Sequence, residues 1–127
     1  MKILVVDDEV DVQPLFRQRF RRELKNGELV FVFALSGEEA LDYLRPDRSQ
    51  VVLILSDVNM PGMSGLELLR QIRETYDSAP PFVMMITAYG DEENRRQSID
   101  LGADDFLTKP LDFNLLKEKL KGLTANG

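Results

Sequence analysis

Four short apolar runs in this chain each lead directly into a polar, chemically capable group. Lys2-Ile3-Leu4-Val5-Val6 runs into Asp7-Asp8-Glu9, and Val51-Val52-Leu53-Ile54-Leu55-Ser56 runs into Asp57. Phe82-Val83-Met84-Met85-Ile86 runs into Thr87, and Asp105-Phe106-Leu107-Thr108 into Lys109-Pro110. Runs this short and this apolar read as strands buried on both faces, the mark of a parallel sheet. In open parallel sheets ligands sit just beyond the carboxyl ends of the strands. The pattern therefore gathers carboxylates, one hydroxyl and one ammonium along a single sheet edge.

Helical patterns alternate with these strands. Val12, Leu15, Phe16, Phe20 and Leu24 recur at helical spacing, with Pro14 in the first turn and Asn26-Gly27 as the stop. Residues 29–34 read as a further strand. Ser36 with Glu39, and Ser64 with Glu67, have capping-box spacing. They open a helix that buries Ala40, Leu41 and Leu44 and ends before Pro46, and a second that buries Leu66, Leu69, Ile72 and Tyr76. Asp91 caps a helix over 92–101 that Gly102 ends; its apolar anchors are Ile99 and Leu101 alone, so it reads as loosely held or as a thin solvated surface helix. Asp112 caps the last helix, with Leu116, Leu120 and Leu123 inward. Five β and five α units in alternation, joined by right-handed crossovers, predict an α/β fold: a doubly wound five-stranded parallel sheet of order 2-1-3-4-5. That order makes Asp7, Asp8 and Asp57 neighbours.

Composition narrows the chemistry. The chain has 127 residues, enough for one core, and no cysteine or histidine, which excludes disulfides, zinc–thiolate sites and Ser-His triads. A net charge of -6 argues against direct nucleic-acid or anionic-membrane binding. No apolar stretch approaches the ~20 residues of a membrane span. The Met1–Val6 run is too short for a signal-peptide core, so a cytoplasmic protein is expected.

Three carboxylates at one strand edge repel each other unless some stay protonated or a cation binds. Magnesium suits such a set, with manganese as its substitute. An aspartate there can attack phosphorus, while Lys109 and Thr87 supply charge and a hydroxyl to phosphoryl oxygens. Singly, each residue has a plainer reading as turn former, strand end or surface charge; together they share one edge.

These motifs, with Asn59-Met60-Pro61-Gly62-Met63-Ser64-Gly65, Thr87-Ala88 and Gly102-Ala103-Asp104-Asp105, resemble the receiver domain of two-component response regulators. The resemblance covers residues 1–122, leaving 123–127 as a polar tail or the start of a linker. It implies a flavodoxin-like three-layer sandwich in a phosphorelay. Asp57 would be the phosphoacceptor for a histidine kinase or histidine phosphotransfer protein. Magnesium would lie on Asp8, Asp57 and the Asn59 backbone carbonyl, with Asp7 acting through water. Thr87, the Ala88 backbone N–H and Lys109 would bind the phosphoryl group. Thr87 and Phe106 would form the switch, Phe106 choosing its rotamer by packing alone. Lys109–Pro110 would be cis, and Asn59 and Tyr89 would tune hydrolysis. Output would pass through helix 92–101, the last strand and the last helix to an effector or a second copy, and the chain would turn over no external substrate.

Two other classes compete. An aspartyl-nucleophile phosphohydrolase usually places a second aspartate two residues after the nucleophile; that position is Asn59, and 127 residues leave no room for a cap domain. A flavodoxin-like cofactor binder would need a phosphate cradle, whereas the loops after the first and third strands are acidic. Arg17, Arg19, Arg21, Arg22 and Lys25 face only Glu23 in the first helix, either as a solvated basic face or as a docking surface for an acidic phosphotransfer partner.

Overall fold

The alternation of buried strands and amphipathic helices resolves, in a computed structural model describing residues 1–47, 51–75, 81–88 and 90–125, into one five-stranded sheet. The strands are β1 (Lys2–Val6), β2 (Val30–Ala34), β3 (Val51–Asp57), β4 (Phe82–Thr87) and β5 (Asp105–Thr108). Their order is β2-β1-β3-β4-β5 and every pairing is parallel. The helices are α1 (Val12–Arg19), α2 (Arg21–Lys25), α3 (Gly37–Asp47), α4 (Gly65–Thr75), α5 (Glu92–Asp100) and α6 (Phe113–Ala125).

Side chains alternate across each strand, so a run apolar at every position feeds two cores. Leu4, Val6, Ile54 and Met85 face one side and join Ala40 and Leu44 of α3 and Leu68, Leu69 and Ile72 of α4. Ile3, Val5, Leu53, Leu55 and Met84 face the other and join Phe16 and Phe20, together with Leu116 and Leu120 of α6. The second core is aromatic: the Phe16 ring meets those of Phe31 and Phe113 edge-on at 5.4 and 5.2 Å.

Several expectations change. The first helix is two segments divided at Phe20, whose backbone leaves helical geometry (φ -110°, ψ 23°). Phe20 N–H still donates to the Phe16 carbonyl, and the fully buried Phe20 ring seats against Phe31 and Phe113. Backbone geometry yields there to the seating of the ring. Leu15 is exposed rather than inward. α3 continues through Pro46 to Asp47, and α6 runs to Ala125. Ile99 is 52% exposed; the residue that α5 buries is Ser98, whose hydroxyl donates to the Asn94 carbonyl. Tyr76, Tyr89 and Asn126-Gly127 lie outside the described residues. Among the described residues no helix is long and apolar enough to cross a membrane.

The caps form as the spacing predicts. Ser36 Oγ accepts from Glu39 N–H at 3.0 Å and Ser64 Oγ from Glu67 N–H at 3.2 Å. Asp91 accepts from Asn94 N–H and Asp112 from Leu115 N–H.

Candidate functional site

Register determines the site. Val6 lies opposite Ser56 on β3, and Asp57 opposite Ile86 on β4. Asp7, one residue beyond β1, is therefore beside Asp57 at the carboxyl edge. Oxygens of Asp7, Asp8 and Asp57 all lie within 4.8 Å of one another. Asp7 and Asp57 are buried, and Asp8 is the most open of the three.

Asp57, 1% exposed, is held at both oxygens. Oδ1 accepts from Asn59 N–H at 3.0 Å, and Oδ2 from the Lys109 ammonium at 2.6 Å. Lys109 reaches it from the end of β5, where its N–H donates to the Thr87 carbonyl at 2.8 Å and the bond to Pro110 is cis. Burial works against the ammonium, but the hydrogen bond to Asp57 and the charges of Asp57, Asp7 and Glu9 outweigh it and raise its pKa. Asp7 accepts from Glu9 N–H at 2.9 Å; burial, reinforced by the charge of Asp57, outweighs that hydrogen bond and raises its pKa from the ordinary aspartate value. One ammonium thus faces three carboxylates. The donor set is all oxygen and carries excess negative charge, which fits a hard divalent cation.

Thr87 ends β4 with 1% exposure, its hydroxyl at 3.5 Å from the Leu107 carbonyl, a long and weak contact. Ala88 follows, its carbonyl accepting from Asp91 N–H at 3.1 Å. Asn59 is exposed beside Asp57. Phe106 belongs to neither core: its ring is half-buried, with the Arg95 guanidinium 4.2 Å from its centroid. Packing alone therefore does not hold it, because a cation sits on its face.

Two positioning features escape sequence reasoning. Gly65 opens α4 with its N–H on the Val58 carbonyl at 2.9 Å; a Cβ there would lie 2.1 Å from the Asp57 carbonyl oxygen. Only glycine lets α4 approach the strand end that bears Asp57. The sequence shows Gly65 after a capping serine but not what lies opposite. Arg73 of α4 donates to the Gly102 and Pro81 carbonyls and to Asp104, whose carboxylate also accepts from Val83 N–H, fastening α4 to β4 and to the end of α5. Those partners are distant in sequence, so spacing carries no sign of them.

Comparison with known proteins identifies a family for the chain as a whole. The family model of the response regulator receiver domain matches residues 3–121. The response regulator RppA of Synechocystis is 37% identical over 123 residues, which are 97% of this chain and 50% of that protein. The chain thus spans about half the length of the curated relatives it matches. Among solved structures, the response regulator TrrA of Thermotoga maritima, crystallised in complex with Mg2+-BeF, superposes with a TM-score of 0.75 at 34% identity, covering 96% of this chain and 97% of that one. The receiver domain of Saccharomyces cerevisiae Ssk1, co-crystallised with the histidine phosphotransfer protein Ypd1, superposes with a TM-score of 0.80 at 26% identity, covering 94% and 85%.

Proposed function

Because this chain belongs to the response regulator receiver domain family of two-component signalling, we propose that Asp57 is its phosphoacceptor, taking a phosphoryl group from the phosphohistidine of a kinase or phosphotransfer protein in a magnesium-dependent reaction. The observation that carries this reading is the setting of Asp57: a buried carboxylate gripped by Lys109 at 2.6 Å, with two more carboxylates within bridging distance.

An Asp57 carboxylate oxygen attacks phosphorus. The donor's P–N bond breaks, its electron pair stays with the imidazole nitrogen, and Asp57 becomes an acyl phosphate. Phosphoryl transfer asks the protein mainly for positioning and charge neutralisation. Asn59 N–H and Lys109 fix the nucleophile's orientation beforehand, and Lys109 follows the charge onto a phosphoryl oxygen. Asp8, Asp57 and the Asn59 carbonyl would hold the magnesium ion, with Asp7 acting through water; the ion when bound neutralises carboxylate and phosphoryl charge. The Thr87 hydroxyl turns from the Leu107 carbonyl to a phosphoryl oxygen, with the Ala88 N–H as a second donor. That movement opens space toward Phe106, whose ring leaves Arg95 and turns inward, altering the surface of α5, β5 and α6. Asn59 and Tyr89 govern how readily water reaches the acyl phosphate. The domain modifies its own carboxylate and turns over no external ester; any effector acts downstream, in a cytoplasmic setting. The Mg2+-BeF complex of TrrA and the Ypd1 complex of Ssk1 support the metal and the class of donor.

Intact-mass measurement after incubation with magnesium and acetyl phosphate tests this. One added phosphoryl group is expected, absent with EDTA and in Asp57→Asn. Unchanged mass in the wild-type protein would contradict it.

A further inference from the structure

Charge pairing in this molecule is uneven. Arg45, Arg70, Arg73, Arg95 and Arg96 each form an ion pair with a carboxylate. Among the described residues the cations of α1 and α2 form none. Arg17 and Arg19 lie over the Phe33 and Phe113 rings, and Arg21, Arg22 and Lys25 have no ion pair among the described residues. Four of these five, with Lys117 of α6, line one open cleft of about 980 Å³. The one carboxylate in its lining, Glu23, is already engaged within it: one oxygen is 3.4 Å from Lys117 Nζ and the other is buried. A chain with net charge -6 thus keeps a concave surface lined by five cations and one carboxylate, with Arg21, Arg22 and Lys25 outside any ion pair among the described residues.

We propose that this cleft docks an acidic, aspartate- and glutamate-rich segment of a partner protein. Guanidinium forks match carboxylates in bidentate geometry, and three exposed arginines line the wall. A nucleic acid fits less well. No aromatic side chain lines this cleft to stack a base, and a duplex longer than the ~10 Å screening length would meet the acidic remainder of the surface. A short acidic segment stays within a wall that carries five cations against one carboxylate.

The place of the cleft separates this binding from the chemistry at Asp57. α2 ends at Lys25, and the chain enters β2 at Val30, whose N–H donates to the Met1 carbonyl at the amino end of the sheet. Arg22 and Lys25 therefore lie toward the end opposite Asp7 and Asp57, and a segment bound there leaves the carboxylate edge open to a phosphoryl donor.

Fluorescence anisotropy of a short fluorescein-labelled poly-Asp/Glu peptide, titrated with the full chain, tests the proposal. The peptide is expected to bind, to weaken as salt rises from about 50 to about 300 mM, and to lose about tenfold or more in affinity to Arg22→Glu/Lys25→Glu. Acetyl phosphate should modify that variant at the wild-type rate, a readout of Asp57 that is independent of the cleft. Arg22→Gln/Lys25→Gln, checked by circular dichroism, gives the same sign if the reversal variant fails to fold. Absence of peptide binding, undiminished binding to folded variants, or displacement by inorganic polyphosphate or duplex DNA at lower concentration than by unlabelled peptide would each overturn it.

Discussion

Asp57 depends on residues that contribute no charge as much as on those that do. Gly65 is the clearest case, since any side chain there meets the Asp57 carbonyl oxygen. Gly65→Ala is expected to cost about 1–3 kcal/mol of stability, as overpacking does, and to slow acetyl phosphate labelling by about tenfold or more, because small misplacements of a nucleophile are costly. Urea denaturation and a mass time course measure the two; a variant unchanged in both would show that the close approach does not matter. Phe106 shows where a sequence misleads at this scale. An apolar residue in a strand reads as core, yet its ring lies half-exposed under Arg95, a partner eleven residues away on another element. An exposed cation–π contact contributes about 0.5–1 kcal/mol, so Arg95→Ala should shift the ring population about two- to fivefold toward the inward rotamer. Fluorine NMR of fluorophenylalanine at position 106 reads this, and an unaltered spectrum would contradict it.

At the scale of elements, the legible parts were those that local chemistry dictates. The serine and aspartate caps and the strand runs follow from spacing, the strand order from the doubly wound rule together with the family resemblance, and each forms. What periodicity could not show was competition among side chains for one core. The break at Phe20, the outward Leu15 and the inward Ser98 all arise where α1, α2 and α5 meet neighbours distant in sequence. α4 is held further by its own charges: Glu67 accepts from Arg70 and Gln71, which lowers its pKa from 4.5 to about 2. A depressed carboxylate pKa gives stability that is full above about 4.5 and lost as pH falls toward about 2. Glu67→Gln should therefore flatten the acid limb of the stability profile between those pH values, measured by urea denaturation. An unchanged acid limb would mean that the helix pairs do not survive in solution.

Across the whole molecule, the sheet sorts charge. Carboxylates collect at its carboxyl edge, where burial lifts Asp7 and a single ammonium serves three acids. Cations outnumber carboxylates five to one around the cleft beside α2. The carboxyl edge was legible because strand ends and sheet order together place it. The cleft was not, because its wall needs Lys117 of α6 brought against α2, and the sequence separates them by some ninety residues. The proposed function gives three neighbouring carboxylates different work, with Asp57 alone as the nucleophile. Trapping the acyl phosphate with borohydride and mapping the peptides tests that assignment most directly. Reduction of an aspartyl phosphate leaves homoserine, and the account predicts it at position 57 alone. Homoserine at position 7 or 8, or at none of the three in a protein that has gained phosphoryl mass, would contradict it.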